Sequence, residues 1–345
     1  MARTPWLLAA CGLSAALVWS CAYAPSALSQ QVYTRAYLSG EAERLKTAVR
    51  KILTIGLQPA MTSKERQALA PVRLAFPMPK PNDAVLNFYA AIGVESGTVY
   101  LPLQSLKKIE DMTLAYAVLY YEQKSLEPVD LYFSVVRNQT PRQFPDGRLP
   151  NILAALGIPE NAYKRPGIDK LSLSLRNEAF AFVLAHELAH ILYRHKGYAK
   201  ITKAQARADE VQADAFALDL MARTNTPPLG AALFFRAQVY GLPHPGQYPT
   251  KELWNAYLAT ASTHPLSVDR MRAMARMIKG PLARRRSSEA EIWREIGTKL
   301  EGLAGLLDDA PLHRCITQMA SELPLKLLRG RPITARSVVE ERGCR

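Results

Sequence analysis

The chain has 345 residues, of which 48% are hydrophobic and 21% charged, a composition typical of a globular protein with one large domain or two modest ones. Its formal charge of +14 favours anionic partners, because 44 Lys and Arg residues stand against 30 Asp and Glu residues. The basic residues are not interleaved with aromatic residues that would stack on bases, so we expect no nucleic-acid partner.

The N-terminus has the pattern of a secretory signal, to which we assign residues 1–29. A short basic start precedes an apolar run from Trp6 to about Ala24, and small residues follow. We expect cleavage after Ser29, since a cut after Ala24 would place Pro25 directly behind it. The pattern predicts export to the periplasm or the medium. An uncleaved signal would be nearly long enough to anchor the protein, so a peripheral or anchored membrane contact stays open.

The cysteines agree with export. Only Cys315 and Cys344 remain after removal of the signal. An even pair in an oxidising compartment predicts one disulfide, which would tie the C-terminal tail to a helix and contribute about 3–4 kcal/mol in the loop-entropy model. The alternative is a pair of free thiols.

The first part of the mature chain combines predicted strands with helices. Apolar residues three and four apart indicate helices, and short apolar runs between Pro and Gly residues indicate strands. The predicted elements are a helix at 40–55, strands at 72–76, 84–92 and 97–103, a helix at 105–123, a strand candidate at 130–136, and a long loop at 138–169 with a short helix around 151–157.

From Leu171 onward the pattern is helical. The predicted helices are 174–196, 203–223 with Thr202 as N-cap, about 228–240, 266–279, 288–307 and 310–329. The sequence therefore predicts an α+β fold, with a small mixed sheet followed by a helical majority.

We divide the chain into four parts on this basis. They are the signal (1–29), an N-terminal α/β part with an insertion loop (30–169), a central helical part (170–280) and a C-terminal helical extension (281–345).

The stretch VLAHELAHILYRH, residues 183–195, carries the strongest chemical pattern. His186 and His190 are four residues apart on a predicted helix, so they project from nearly the same face, one turn apart. Two imidazoles at this spacing can bind one Zn²⁺ ion. Glu187 would then be placed to take a proton from a water molecule and pass it to a leaving amine. The alternative is a buried helix with two hydrogen-bonded histidines.

A zinc site of this kind needs a third ligand. One class of zinc peptidases takes it from a third His beyond a glycine turn, but Tyr193 and Lys196 occupy those places here. On a continuous helix His195 would point about 140° away from His190. We therefore expect His195 to lie at the surface or to interact with the C-terminal helix dipole.

The next predicted helix supplies a better candidate. Glu210 and Asp214 are four residues apart on one face. We assign Glu210 as the third zinc ligand and Asp214 as the acceptor of a hydrogen bond from a ligand imidazole, which fixes the ring's tautomer and orientation.

Three segments together resemble the zinc metallopeptidases that include the CAAX prenyl protease, the HtpX heat-shock protease and their soluble periplasmic relatives. They are HELAH (186–190), EVQAD (210–214) and STHPLSVDR (262–270), within a matching core of roughly 170–278. The resemblance implies a zincin-type fold, one zinc ion per chain in the central helices, and hydrolysis of peptide bonds in protein or peptide substrates.

The third segment gives two further residues roles that the resemblance implies. His264 and Arg270 would stabilise the oxyanion of the tetrahedral intermediate. Alternatively, Arg270 holds Asp214 or Glu210 by a two-pronged ion pair. His264 could instead occupy the fourth zinc position as a latch, or it could cap the start of a helix.

These patterns predict a zinc endopeptidase that acts on exported or envelope proteins, in a role such as protein quality control. The alternative is a zinc-retaining, chaperone-like binding protein, although a purely structural site would not need Glu187. We expect an extended substrate to pair with an exposed strand edge near the cleft, with GTVYL (97–101) and DKLSLS (169–174) as candidates.

Overall fold

The computed structural model describes residues 32–79, 86, 88–93, 96–138, 148–197, 200–242, 250, 252–253, 266–285, 289–322 and 336–344. The predicted signal and His264 lie outside the described residues. Within the described part, no helix is both long enough and apolar enough to cross a membrane.

The N-terminal third packs short helices against a small sheet. Thr34 caps the first helix, which continues directly into a π-helical turn, and Thr62 and Glu65 form a capping box at the second. The elements are α1 (Arg35–Lys51), the π-helical turn (Ile52–Leu57), a single helical turn (Gln58–Ala60), α2 (Ser63–Leu69), β1 (Arg73–Ala75), β2 (Tyr89–Ile92) and β3 (Gly97–Tyr100).

The three described strands form a mixed sheet in the order β1-β3-β2. β1 runs parallel to β3 and β2 antiparallel to it, so that Val99 faces Leu74 on one side and Ala90 on the other. The segment GTVYL was predicted as a substrate-binding edge. That prediction is wrong, because β3 has a partner along each of its sides.

The remainder of the chain is helical. The elements are α3 (Leu103–Tyr121), α4 (Glu127–Asn138), α5 (Ile152–Leu156), a 3₁₀ helix (Glu160–Lys164), α6 (Ile168–Leu192), α7 (Lys203–Arg223), α8 (Leu229–Tyr240), α9 (Val268–Met277), a π-helical turn (Ile278–Leu282), a single turn (Ala283–Arg285), α10 (Ala290–Asp308), α11 (Ala310–Glu322) and α12 (Val338–Glu341). The described residues confirm the predicted α+β class, mostly helical with a small mixed sheet.

The strand predicted at 130–136 is wrong, because these residues belong to α4. All seven of them are buried, so burial does not separate two faces, but the polar residues Asp130 and Ser134 are four apart, as on one face of a helix. The preceding residues favour the helix, since acidic Glu127 and Pro128 suit a first helical turn.

Helix α6 lies at the centre of the molecule, where it packs against α3, α7 and α8. It begins at Ile168, so the second predicted substrate edge, DKLSLS, is wrong: these residues form its first turns. The approach of α8 is close, because a Cβ atom on Gly230 would lie 2.3 Å from the backbone nitrogen of Ala179. Every residue from Glu178 to Ile191 is buried, so this helix presents side chains to the core on all sides.

The C-terminal helices close the fold. Cys315 of α11 forms a disulfide with Cys344, with 5.5 Å between their Cα atoms, and so joins the last described residues to this helix. The ring of His313 lies with Nε2 3.0 Å from the carbonyl oxygen of Val239, which ties α11 to α8.

Candidate metal centre

The central helix places three of the predicted residues in the core. His186, Glu187 and His190 lie on α6, with exposed fractions of 4%, 1% and 7%. Burying polar groups is unfavourable unless they have partners, so their surroundings must supply charge and hydrogen bonds.

Those partners come from α7, which starts where the sequence predicted. The Thr202 hydroxyl accepts a hydrogen bond from the backbone N–H of Gln205 and so caps the helix. Two turns later, Glu210 and Asp214 project towards α6 and are 0% and 1% exposed. The buried Ala213 lies between them in the sequence, and its small side chain lets the two helices pack closely.

The side chains of His186, His190 and Glu210 meet in one buried group. Nε2 of His186 lies 3.1 Å from Nε2 of His190. The Glu210 carboxylate lies 3.5 Å from Nε2 of His186 and 3.4 Å from Nε2 of His190. One donor atom from each residue lies within 4.8 Å of the others, which is the spacing of ligands around one metal ion.

The chemistry of this donor set fits a zinc ion. Two imidazole nitrogens and a carboxylate oxygen are ligands that Zn²⁺ accepts, and three protein ligands are typical of catalytic zinc sites. The charge fits as well. Among the described residues, the carboxylates of Glu187, Glu210 and Asp214 are buried here and Arg270 pairs with the last two, which leaves an excess of negative charge that suits a cation.

Asp214 supports the first of the two histidines. Its carboxylate lies 2.9 Å from Nδ1 of His186, which suits a protonated Nδ1 and leaves Nε2 facing Glu210. Burial lowers the pKa of His186, but hydrogen bonds to Asp214 and Glu210 outweigh it and raise that pKa overall.

Arg270 forms ion pairs with both acidic residues of α7. Its Nε and Nη2 atoms donate to Asp214 at 2.7 and 2.8 Å, and Nη1 lies 2.6 Å from Glu210. Burial raises the pKa of Asp214, but Arg270 lowers it more, so the carboxylate stays ionised. Of the predicted roles for Arg270, the structure shows the two-pronged ion pair. The cap of α9 helps to place it, since Ser267 accepts from the backbone N–H of Arg270 at 3.1 Å.

His195 lies where the sequence did not predict it. Its side chain is only 7% exposed, and its Nδ1 atom lies 2.9 Å from Nδ1 of His190. His195 is therefore half-buried instead of a plain surface residue, and the expected interaction with the C-terminal helix dipole stays a prediction. It does not belong to the group of metal donors.

The cause is the way in which α6 ends. The helix stops at Leu192, not at 196, and Arg194 adopts a left-handed backbone conformation with φ of 55°. The N–H of His195 then donates to the carbonyl of His190 at 2.9 Å, and that of Arg194 to Ile191 at 3.1 Å. This is a Schellman ending, which usually shows as glycine in the sequence. With Arg194 in that position, no sequence signal marked it.

A small cavity lies beside the catalytic candidate. It has a volume of about 20 Å³, room for about one water molecule, and it reaches His186, Glu187 and Arg270. Its walls are mostly apolar and include three aromatic rings. The other residues that line the cavity are Leu86, Phe88, Phe182, Val183, Phe234 and Gln238. His264, the other residue of the STHPLSVDR segment with a predicted role, lies outside the described residues. Its roles in oxyanion stabilisation, as a latch on the zinc and as a helix cap therefore stay predictions.

Comparison with known proteins supports the same region. A family model described as Peptidase U49 matches residues 157–287. The match covers less than half of the chain and supports a peptidase family for it. That range contains α6 to α9, and with them the three metal-binding candidates, Glu187 and Arg270. No curated protein and no solved structure matches the chain. The peptidase match supports a hydrolase that cleaves peptide bonds as the general activity.

Proposed function

We propose that this protein is a zinc-dependent endopeptidase, related to the metallopeptidases of the CAAX prenyl protease and HtpX type. The observation that carries the proposal is the buried meeting of two imidazole Nε2 atoms and the Glu210 carboxylate, with Glu187 next to His186 on the same helix. The peptidase match over residues 157–287 supports it independently.

Each residue of the site has a distinct task in this proposal. His186, His190 and Glu210 hold the zinc, which when bound polarises the scissile carbonyl and lowers the pKa of a water molecule. Glu187 takes a proton from the attacking water and delivers it to the leaving amine. Asp214 orients His186, and Arg270 keeps the carboxylates of Asp214 and Glu210 in place.

The surroundings of Glu187 suggest how a peptide would bind. Strand β2 is an outer strand of the described sheet and packs against α6, so an extended peptide could add to it through backbone hydrogen bonds.

We also propose that the enzyme works outside the cytoplasm, on exported or envelope proteins. The apolar N-terminal pattern of residues 1–29 and the Cys315–Cys344 disulfide support this setting, because disulfides persist in oxidising compartments. Removal of misfolded exported proteins would suit such an enzyme.

A second function is favoured by one observation. Arg270 is 3% exposed and directs all three of its nitrogens at Asp214 and Glu210, so its guanidinium is committed to holding these carboxylates. A guanidinium used in this way suits a zinc-retaining binding protein with little turnover as well as it suits an enzyme.

One experiment tests the proposed function and separates it from the second. Zinc content and casein cleavage are measured for the wild type, Glu187→Gln and His264→Ala. We expect about one zinc per chain and cleavage in the wild type, and zinc without cleavage in Glu187→Gln. Zinc without cleavage in the wild type would favour the binding protein. Absence of zinc would contradict both functions. Faster cleavage by His264→Ala would indicate a latch, and a loss of cleavage would indicate oxyanion stabilisation.

A further inference from the structure

The two candidate histidine ligands are supported in different ways. The outer nitrogen of His186 faces a carboxylate, Asp214 at 2.9 Å, which is a common partner for a zinc-bound imidazole. The outer nitrogen of His190 faces another imidazole instead, Nδ1 of His195 at 2.9 Å. At that distance one of the two nitrogens must carry the proton and the other must accept it.

The positions of the atoms decide which nitrogen donates. Nε2 of His190 points at Glu210 and His186, so it is the nitrogen available to a metal and carries no proton when it binds one. The proton of His190 is then on Nδ1, which donates to Nδ1 of His195. His195 accepts there, so its own proton is on Nε2.

The far side of His195 meets this requirement. Its Nε2 atom lies 3.0 Å from the side-chain oxygen of Gln212, an acceptor, and 3.8 Å from a carboxylate oxygen of Asp209. Gln205 donates to that same carboxylate oxygen at 2.6 Å and so helps to fix its position. Each hydrogen-bonding atom in the series from His190 to Gln212 therefore has the partner it needs.

The position of His195 is also fixed by the backbone. The Schellman ending returns its N–H to the carbonyl of His190, and the ring of Tyr193 stacks against the His195 ring with 5.7 Å between centroids. The ring has little freedom to move away, so its acceptor nitrogen is already in place beside His190.

We propose that His195 is a positioning residue that holds His190 as a zinc ligand, by accepting its Nδ1–H while donating to Gln212. The proposal rests on the proposed zinc-dependent function. It adds a second residue that orients a zinc ligand, in addition to Asp214. Helix α7 then holds the metal from two sides, since Glu210 binds the ion directly and Gln212 acts through His195.

Two substitutions of different chemistry test this role. Asparagine offers an acceptor oxygen close to where Nδ1 of histidine lies, whereas leucine fills a similar space without an acceptor. Zinc dissociation constants are measured for the full-length protein by competition with a chromophoric chelator. We expect His195→Leu to weaken zinc binding about 10–100-fold, the usual loss for a missing partner of a ligand. His195→Asn should stay within about threefold of the wild type, because the acceptor is restored.

The opposite order would overturn the proposal. If His195 serves only as packing, His195→Leu will bind zinc as the wild type does and the polar His195→Asn will be the weaker protein. Equal zinc affinity in both variants and the wild type would also contradict the proposal, while leaving the zinc-dependent function intact. A wild type that binds no zinc would contradict the function itself.

A third substitution guards against misfolding of the first two. Gln212→Ala leaves His195 in place but removes the acceptor of its Nε2–H, at an exposed position of α7. We expect a smaller loss of zinc affinity, about threefold to tenfold, with an unchanged circular dichroism spectrum. No loss in Gln212→Ala together with normal binding by a folded His195→Leu would overturn the proposal.

Discussion

Two ionic clusters lie along α6, and they differ in the balance of their charges. The first, which we call the balanced cluster, surrounds Arg176 and includes three carboxylates and three cations. They are Glu41, Glu110 and Asp111 with Arg44, Lys107 and Arg176. The second, the metal cluster, has three carboxylates and one guanidinium. They are Glu187, Glu210 and Asp214 with Arg270.

The difference indicates which cluster is built to hold a cation. In the balanced cluster each carboxylate has a cationic partner, and the Tyr33 hydroxyl also donates to Asp111 at 2.6 Å. A cation added there would compete with an arginine or a lysine. In the metal cluster, three described carboxylates accompany one described guanidinium, and buried negative charge is costly unless a cation compensates it.

If cavity size alone were the criterion, the balanced cluster would be the candidate ligand site. The balanced cluster lines a cavity of about 600 Å³ between α1, α3 and α6, while the cavity at Glu187 measures about 20 Å³. We give donor geometry more weight than volume, because among the described residues the His and carboxylate donors that lie close enough together to hold one metal ion are those of His186, His190 and Glu210.

The largest effect is expected from the proton-transfer residue of the metal cluster. Glu187→Gln removes the base but keeps the shape of the side chain, so kcat/KM for casein should fall by about 10²–10⁴-fold with one zinc still bound. The matched control is Glu178→Gln, another buried Glu→Gln change on α6, which should keep its activity. Equal loss in both variants would mean that the helix, not the base, was damaged.

The second prediction removes the only guanidinium of the metal cluster. Arg270→Met should lower the free energy of unfolding of the zinc-free protein by about 3–5 kcal/mol, because Asp214 and Glu210 are left buried without their partner. Urea unfolding in the presence of a chelator measures this loss.

Zinc supplies the control for that experiment. Since a bound cation replaces part of the missing charge, saturating zinc should recover more stability in Arg270→Met than in the wild type. Equal recovery in both would contradict the charge deficit that distinguishes the two clusters.

The two motifs of the metal cluster could be predicted from the sequence because helical geometry fixes them. A spacing of four residues places His186 over His190 and Glu210 over Asp214 in any regular helix, and Thr202 marks the start of α7. The contact between the His186–His190 pair and the Glu210–Asp214 pair was expected because a zinc site needs a third ligand.

Contacts that depend on irregular backbone or distant segments could not be predicted. His195 reaches His190 only because Arg194 is left-handed, which an arginine seldom adopts. Arg270 pairs with both of the acidic residues that the resemblance offered as alternatives. The strand predicted within α4 was wrong because the apolar residues were taken as one run, although Asp130, Ser134 and Arg137 recur at helical spacing.

Another buried carboxylate on α6, that of Glu178, belongs to neither cluster and gives the next smaller effect. Glu178 accepts hydrogen bonds from the Ser174 hydroxyl and the backbone N–H of Gly230, and burial raises its pKa to about 7. The folded protein then binds a proton more tightly than the unfolded chain. Its contribution to stability is present below about pH 4.5 and is lost as the pH rises through 7.

The substitution Glu178→Gln should therefore abolish this dependence. At pH 8 the variant should be more stable than the wild type, by at most about 3 kcal/mol, and near pH 5 the two should be similar. Urea unfolding at both pH values measures the difference. An identical change with pH in both proteins would show that another group causes it.

The smallest effect is expected in the balanced cluster. Burial raises the pKa of Glu110, but the opposite effect of Arg44, Lys107 and Arg176 is larger. Together these effects lower the pKa to about 2. Its contribution is therefore present above about pH 4.5 and is lost as the pH falls towards 2, the opposite direction to Glu178. Because Arg44 is 47% exposed and screened by solvent, we expect Glu110→Gln to cost only about 1–2 kcal/mol at pH 7.

The same variant tests whether the two clusters are independent. Arg176 and His186 are ten residues apart on α6, which is about 15 Å along the helix, beyond the range over which substitutions usually couple. Glu110→Gln should therefore leave zinc content and casein cleavage per folded molecule unchanged, while its stability at pH 3 falls less steeply than that of the wild type. A loss of zinc in this variant would mean that the balanced cluster helps to shape the metal cluster, and charge balance would then not be enough to separate them.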